Sequence, residues 1–253
     1  MSQRVLITAG AGGIGQAIAK AYLATGARVH ISDINPEALE AMKRQYPDLG
    51  TTVGDVSKAN EVEALFRDVQ THLGGLDVLV NNAGIAGATS PVADYPVKTW
   101  MDVMNVNLTG TFLVTQHAIP MLTQSAAGSI VVMSSLAGRF GYANRVAYST
   151  SKWGLVGFTK TLALELGPLG ITANSIHPGA VDGPRVQSVL EGRAKLSGRS
   201  VQEEYDSALA NQSIKHFVDA DDIAALVLFL TGPHGRSISG QMFPIDGDSK
   251  AAS

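Results

Sequence analysis

The chain has 253 residues, 45% hydrophobic and 16% charged, a balance that suits one globular domain with a large core. Its formal charge of -3 offers no long-range attraction to nucleic acid or an anionic membrane, and no apolar run reaches the ~18 residues of a membrane span. With no cysteine there is no disulfide framework, and with no signal-peptide pattern ahead of the first apolar run a cytoplasmic protein is expected, with no metal site.

Arg4 to Thr8 is a short apolar run that reads as a buried first strand, and it leads directly into Ala9-Gly10-Ala11-Gly12-Gly13-Ile14-Gly15. Ala17, Ile18, Ala21, Tyr22 and Leu23 then mark one apolar face of a helix. A strand, a glycine-rich turn and a helix N-terminus in succession let backbone approach a pyrophosphate without Cβ clashes, under the free N–H groups of the helix end. The same glycines could also serve only as a flexible turn. The next apolar run, Ala27 to Ile31, ends in Ser32-Asp33, where a dinucleotide fold places the acid that bonds the adenosine ribose. No lysine or arginine stands beside Asp33 to receive a 2′-phosphate, so NAD is favoured over NADP. The competing reading is that Asp33 caps the following helix, a task for which Asn35 is also placed.

Further apolar runs near 50–54, 77–81, 129–134, 171–176 and 241–246 alternate with helical segments, as in an α/β parallel sheet covered on both faces. Ser135 follows the fifth run, where a serine is most simply a turn residue. In Tyr148-Ser-Thr-Ser-Lys152 a phenol and an ammonium stand four residues apart, hence on one helix face. A positive charge beside a phenol favours the phenolate and makes the pair a candidate acid/base device, although such pairs also occur as plain surface contacts.

Taken in order, these residues resemble the short-chain dehydrogenase/reductase family in its single-domain branch, along the whole chain. Thr8 to Gly15 is similar to that family's Thr-Gly-x-x-x-Gly-x-Gly loop, with Ala9 at the first glycine and Gly10 placed to compensate. The resemblance implies cofactor contacts from Gly10, Gly12, Gly13, Ile14, Gly15, Asp33 and Ile34. It adds Asp55 and Val56 at the adenine, and Asn82, Ala83 and Gly84 from the Asn-Asn-Ala-Gly signature. It also implies a catalytic set of Asn107, Ser135, Tyr148 and Lys152, with Tyr148 and Lys152 meeting the cofactor as well. Pro178, Gly179 and Val181 come from a Pro-Gly-x-Val-x-Thr segment in which Gly183 replaces the threonine. Near the end, Asp248 stands where another glycine is common.

The fold so implied is a Rossmann-like doubly wound sheet of seven parallel strands in the order 3-2-1-4-5-6-7, one domain over 1–253, with ligands outside the carboxyl ends of the strands. Residues 183–212, richer in charge and poorer in core residues, fall where the family carries a substrate lid. The function implied is hydride transfer between a secondary alcohol and NAD, with a 3-oxoacyl thioester reductase or a non-catalytic dinucleotide sensor as alternatives. Arg139, Arg145, Arg185 and Arg193 could face the substrate alongside Ser135 and favour a polar or anionic sugar, polyol or hydroxy acid. They could equally pair with Glu191, Asp182 and other acids. Trp153, Val156, Gly157, Lys160 and Leu164 recur at helical spacing, on the face that the family commonly buries between subunits of a homotetramer.

Overall fold

The computed structural model describes residues 2–251, the side chain of Arg185 excepted. Its strands are β1 (Arg4–Thr8), β2 (Arg28–Asp33), β3 (Gly50–Val53), β4 (Val78–Asn81), β5 (Ser129–Met133), β6 (Thr172–Pro178) and β7 (Met242–Ile245). They form one sheet in the order β3-β2-β1-β4-β5-β6-β7, and every neighbouring pair is parallel. The helices are α1 (Gly13–Ala24), α2 (Pro36–Gln45), α3 (Ala59–Leu73), α4 (Val97–Met104), α5 (Thr111–Leu122), α6 (Val146–Leu166), α7 (Pro184–Ser197), α8 (Val201–Ala210) and α9 (Ala220–Thr231).

The apolar runs lack hydrophobic/polar alternation because both sheet faces are covered, and successive side chains enter different cores. Val5 and Ile7 of β1, Val78 and Val80 of β4, and Val131 and Met133 of β5 share one core with Ile18 and Tyr22 of α1 and Ile223, Val227 and Leu230 of α9. Leu6, Leu79, Ile130 and Val132, the intervening residues, point to the other side. They pack with Val62 and Phe66 of α3, Val114 and Leu122 of α5, and Leu155 and Leu162 of α6. A slip of one residue in any of these strands would exchange its two faces, so the register is fixed by both layers. Each such side chain, fully buried, contributes roughly 1.5–3 kcal/mol.

Between α4 and α5 the helix widens into a π turn, Asn105–Gly110. Gly110 is needed there, because a Cβ on it would stand 2.7 Å from Cγ2 of Val56. Helices α7 and α8 cluster around Leu190, Ala208 and Phe217 apart from the two main cores. That separate small core explains why the sequence over 183–212 reads as core-poor. No helix among the described residues is long and apolar enough to cross a membrane.

Candidate active site

The strand order reverses between β1 and β4, and there a cavity of about 610 Å³ opens at the carboxyl ends of the strands. The loop after β1 forms one wall. Ala9 takes φ +50°, a left-handed conformation that glycine adopts freely and alanine only at a cost. Gly10 does not compensate, as the sequence suggested it would. Its φ is not positive, and its lack of a Cβ instead admits Ile31, whose Cβ would stand 2.6 Å away. Gly12 and Gly13 face open space on the cavity wall, with Gly13 at φ +51°. Gly10 and Gly15, expected to touch the cofactor, are not among the residues lining the cavity. Gly15 is instead a packing glycine: a Cβ on it would overlap the carbonyl oxygen of Ala9 and lie 2.6 Å from Nδ2 of Asn82.

Thr8, which carried no role in the sequence reading beyond its place in the loop motif, fastens this loop to β4. Its hydroxyl oxygen accepts from the backbone N–H groups of Asn82 and Ala83, each at 3.0 Å. The Asn82 amide donates back to the carbonyls of Thr8 and Ala9, each at 3.1 Å. Asn82, Ala83 and Gly84 all line the cavity, as does Ile14.

At one end of the cavity lie Asp33, Ile34, Asp55 and Val56. Asp33 does not cap α2. Asn35 does, accepting from the N–H of Ala38 at 3.0 Å, while Asp33 accepts from Ala11 N–H through Oδ2 and from Asn35 N–H through Oδ1, each at 3.1 Å. Asp55 folds back on its own turn, accepting from the backbone N–H and hydroxyl of Ser57 at 2.9 and 2.7 Å.

Ser135, Tyr148 and Lys152 line the same cavity farther along. The Lys152 ammonium donates to the carbonyl of Met133 at 2.8 Å and stands 5.7 Å from the centre of the Tyr148 ring. Ser134 holds the helix backbone at this point, its hydroxyl donating to the carbonyl of Lys152 at 2.9 Å. Asn107, fully buried in the π turn, is not a lining residue but sits behind Gly84, where a Cβ would meet both its Oδ1 (3.3 Å) and Lys152 Nζ (3.4 Å). Its amide exchanges hydrogen bonds with Ile85, accepting at 2.8 Å and donating at 3.0 Å, and donates to Ser151 Oγ at 3.0 Å. Ser135 Oγ accepts from Ala137 N–H at 3.2 Å, closing the turn after β5. Behind it lies a residue that the sequence reading overlooked: the buried His177 donates from Nδ1 to the Ser135 carbonyl at 3.0 Å. Burial pushes this imidazole down to about 4, with Arg139 and Lys152 adding repulsion. It is therefore neutral at pH 7, and its Nε2 accepts from Ser175 Oγ at 2.9 Å.

Pro178, Gly179 and Val181 line the cavity from the end of β6. Gly183 stands ahead of the next helix at φ +137°, which a threonine would adopt only under strain, so this turn requires a glycine. Asp248 likewise takes φ +57°, a left-handed position that Asp tolerates better than most residues.

The arginines separate. Arg139 does not line the cavity; its guanidinium pairs with the buried Asp246 at 2.6 Å. Arg145 and Arg193 do line it, and neither pairs with a carboxylate among the described residues. Glu191 bonds instead to Gln187, at 3.2 Å. Arg185 lies on α7, and its side chain is outside the described residues.

The family model for short chain dehydrogenase matches residues 3–194. The chain belongs to the short-chain dehydrogenase family. D-beta-hydroxybutyrate dehydrogenase of Cupriavidus necator is 36% identical over 247 residues, covering 96% of this chain and 95% of its own length. Among solved structures, NAD+-bound xylitol dehydrogenase is 30% identical with a TM-score of 0.93, covering 97% of this chain and 98% of that one. A variant of actinorhodin polyketide ketoreductase with NADPH is 34% identical with the same TM-score, covering 97% and 96%. This short-chain dehydrogenase is therefore an oxidoreductase of the alcohol/ketone type with a nucleotide-binding fold, and its relatives span both nicotinamide cofactors.

Proposed function

We propose that the protein oxidises a small secondary alcohol, a sugar, polyol or hydroxy acid, with NAD as the hydride acceptor. The observation that carries this reading is Asp33, which lines the cavity together with Ile34, Asp55 and Val56, a stretch of wall to which no lysine or arginine among the described lining residues belongs. A carboxylate there accepts ribose hydroxyl protons and repels a 2′-phosphate. The open space in front of Gly12 and Gly13, which any Cβ would fill, supports the fit of a dinucleotide pyrophosphate against the start of α1.

Bound NAD supplies the acceptor for the hydride leaving the alcohol carbon. Tyr148 Oη takes the proton of the alcohol hydroxyl, and Ser135 Oγ holds the same oxygen as it becomes a carbonyl. Lys152 keeps a positive charge beside the phenol, which favours the phenolate, and it also binds the nicotinamide ribose. Asn107, tied to Ile85 and Ser151, positions a water that connects Lys152 with solvent. His177 is a positioning residue, setting the backbone of Ser135 from behind. Run in reverse, the same residues reduce a ketone. Helices α7 and α8 act as the lid over the substrate end.

A second reading, reduction of a 3-oxoacyl thioester with NADPH, is favoured by the likeness to the NADPH-bound ketoreductase. Initial rates followed at the reduced-nicotinamide absorbance band, with NAD and NADP across a panel of alcohols and with NADH and NADPH across the matching ketones and 3-oxoacyl thioesters, decide between them. Preference for NAD with a polar alcohol supports the first reading. Turnover confined to NADPH and thioesters supports the second, and cofactor binding with no turnover supports a sensor.

We also assign the exposed face of α6, with Trp153 and Leu164 uncovered and Phe112 of α5 also exposed, to contact with further copies in a homotetramer. A monomer by light scattering at working concentration contradicts that assignment.

A further inference from the structure

We infer that Arg145 reads an anionic group on the substrate, a carboxylate, sulfonate or phosphate set a few bonds from the reacting hydroxyl, with Arg193 as its partner on the lid. This deepens the dehydrogenase reading and rests on it. Arg145 is only 3% exposed, yet no carboxylate among the described residues pairs with it. A guanidinium taken out of water without a counter-charge costs several kcal/mol, so such a site is completed when an anion enters it. Two of its nitrogens are used: Nη2 donates to the carbonyl of Ala86 at 3.0 Å and Nη1 to the hydroxyl of Thr89 at 3.3 Å. Nε is buried and has no hydrogen-bond partner.

Bracing the loop at Ala86 and Thr89 explains the two terminal nitrogens, but neither the orphaned Nε nor the missing counter-charge. The position is also right for reading substrate. The guanidinium carbon lies 5.3 Å from the Tyr148 ring centre, beside the proposed proton acceptor. Tyr142 lies between the two arginines, its ring centre 5.6 Å from Arg145 and 5.1 Å from Arg193, and its hydroxyl accepts from Nη2 of Arg193. Gly192, next to Arg193, lets α7 close on this wall: a Cβ there would stand 2.9 Å from the hydroxyl of Thr89, the same hydroxyl that Arg145 reaches. Two cationic groups, one from the wall and one from the helix above it, thus meet the one Tyr142 ring, and a guanidinium's fixed fork of donors suits a planar or tetrahedral oxyanion.

Two measurements separate this inference from the reading beneath it. In the first, melting of the NAD-saturated protein is titrated with acetate, methanesulfonate and neutral acetamide at constant ionic strength. The two anions are expected to raise Tm saturably and acetamide to leave it unchanged, with the rise lost in Arg145→Gln and reduced in Arg193→Gln. No turnover is needed, so this result stands even if every alcohol fails, a failure that would overturn only the dehydrogenase reading. Equal responses to acetate and acetamide overturn the inference. So does an undiminished anion response in folded Arg145→Gln, or an anion response that appears when the titration is repeated without NAD and is absent with it, which would give the arginine to the cofactor pyrophosphate. If Arg145→Gln does not fold, the wild-type titration and Arg193→Gln decide. In the second measurement, kcat/KM for a hydroxy acid that the enzyme oxidises is divided by that for its neutral alcohol counterpart, such as 3-hydroxybutyrate over 1,3-butanediol. The ratio is expected to fall about tenfold to hundredfold in Arg145→Gln, mainly through KM, as for loss of one charged hydrogen bond. An unchanged ratio overturns the inference.

Discussion

The imidazole of His177 donates to the backbone carbonyl of Ser135 at 3.0 Å, joining the floor of β6 to the turn that presents the proposed substrate-binding serine. Because a carbonyl only accepts, the ring must keep its proton on Nδ1 and its lone pair on Nε2 toward Ser175.

Acid should therefore weaken the fold before most carboxylates titrate. His177 and His30 are each lowered, chiefly by burial, from 6.5 to about 4. Between those two values the unfolded chain binds more protons than the folded one, so this stability is complete above pH 6.5 and is lost as pH falls through about 4. Each histidine contributes on the order of 3 kcal/mol across the window. Urea midpoints measured from pH 7.5 downward should drop over that range, and His177→Asn should make the slope shallower. A flat profile would show that the rings are not held neutral.

Cofactor choice should follow the charge at Asp33. Asp33→Ala combined with Ile34→Arg removes the repulsion and supplies a partner for a 2′-phosphate, since Ile34 is exposed at the cavity edge. The ratio of kcat/KM for NAD over NADP should fall at least tenfold, and the loss of Asp33's bond to Ala11 N–H should cost some affinity for both. A wild type that already prefers NADP would contradict this account of Asp33.

The glycine-rich loop gives a pair of opposite predictions. Ala9→Gly relieves a left-handed alanine, worth about 1–2 kcal/mol, against roughly 0.5–1 kcal/mol of added chain entropy. Tm should rise by about 1–3 °C. Gly15→Ala forces a Cβ onto the carbonyl of Ala9 and should destabilise by about 1–3 kcal/mol while weakening NAD binding. Calorimetry on the two variants, with and without NAD, checks both signs.

Much of this was legible in the sequence, for reasons that can be named. Runs such as Val5-Leu6-Ile7 are apolar at every position because each strand feeds two cores, and that pattern survives without knowledge of the partners. The approach of Asp33 to the glycine-rich loop follows from two adjacent parallel strands ending together. What escaped was tertiary. The bond from His177 to Ser135 spans 42 residues, and the pairing that removes Arg139 from the cavity spans 107. Nothing local distinguishes Arg139 from Arg145; only the fold supplies Asp246 to one and withholds an acid from the other. The left-handed turn at Ala9 was hidden for a different reason, because the residue type argues against the conformation it adopts.

The central claim is that Tyr148 acts through its proton and not its bulk. Tyr148→Phe keeps the ring beside Lys152 and Arg145 and removes only the hydroxyl. The account predicts an intact fold, unchanged NAD affinity and turnover lowered by at least ~10²-fold, the usual loss for a general acid/base. Lys152→Met, measured alongside, should lose turnover and also weaken NAD binding, with its residual activity displaced to higher pH. Substantial turnover by folded Tyr148→Phe, on a substrate that the wild type oxidises, would contradict the account and leave the Tyr148 and Lys152 pair as a contact within α6.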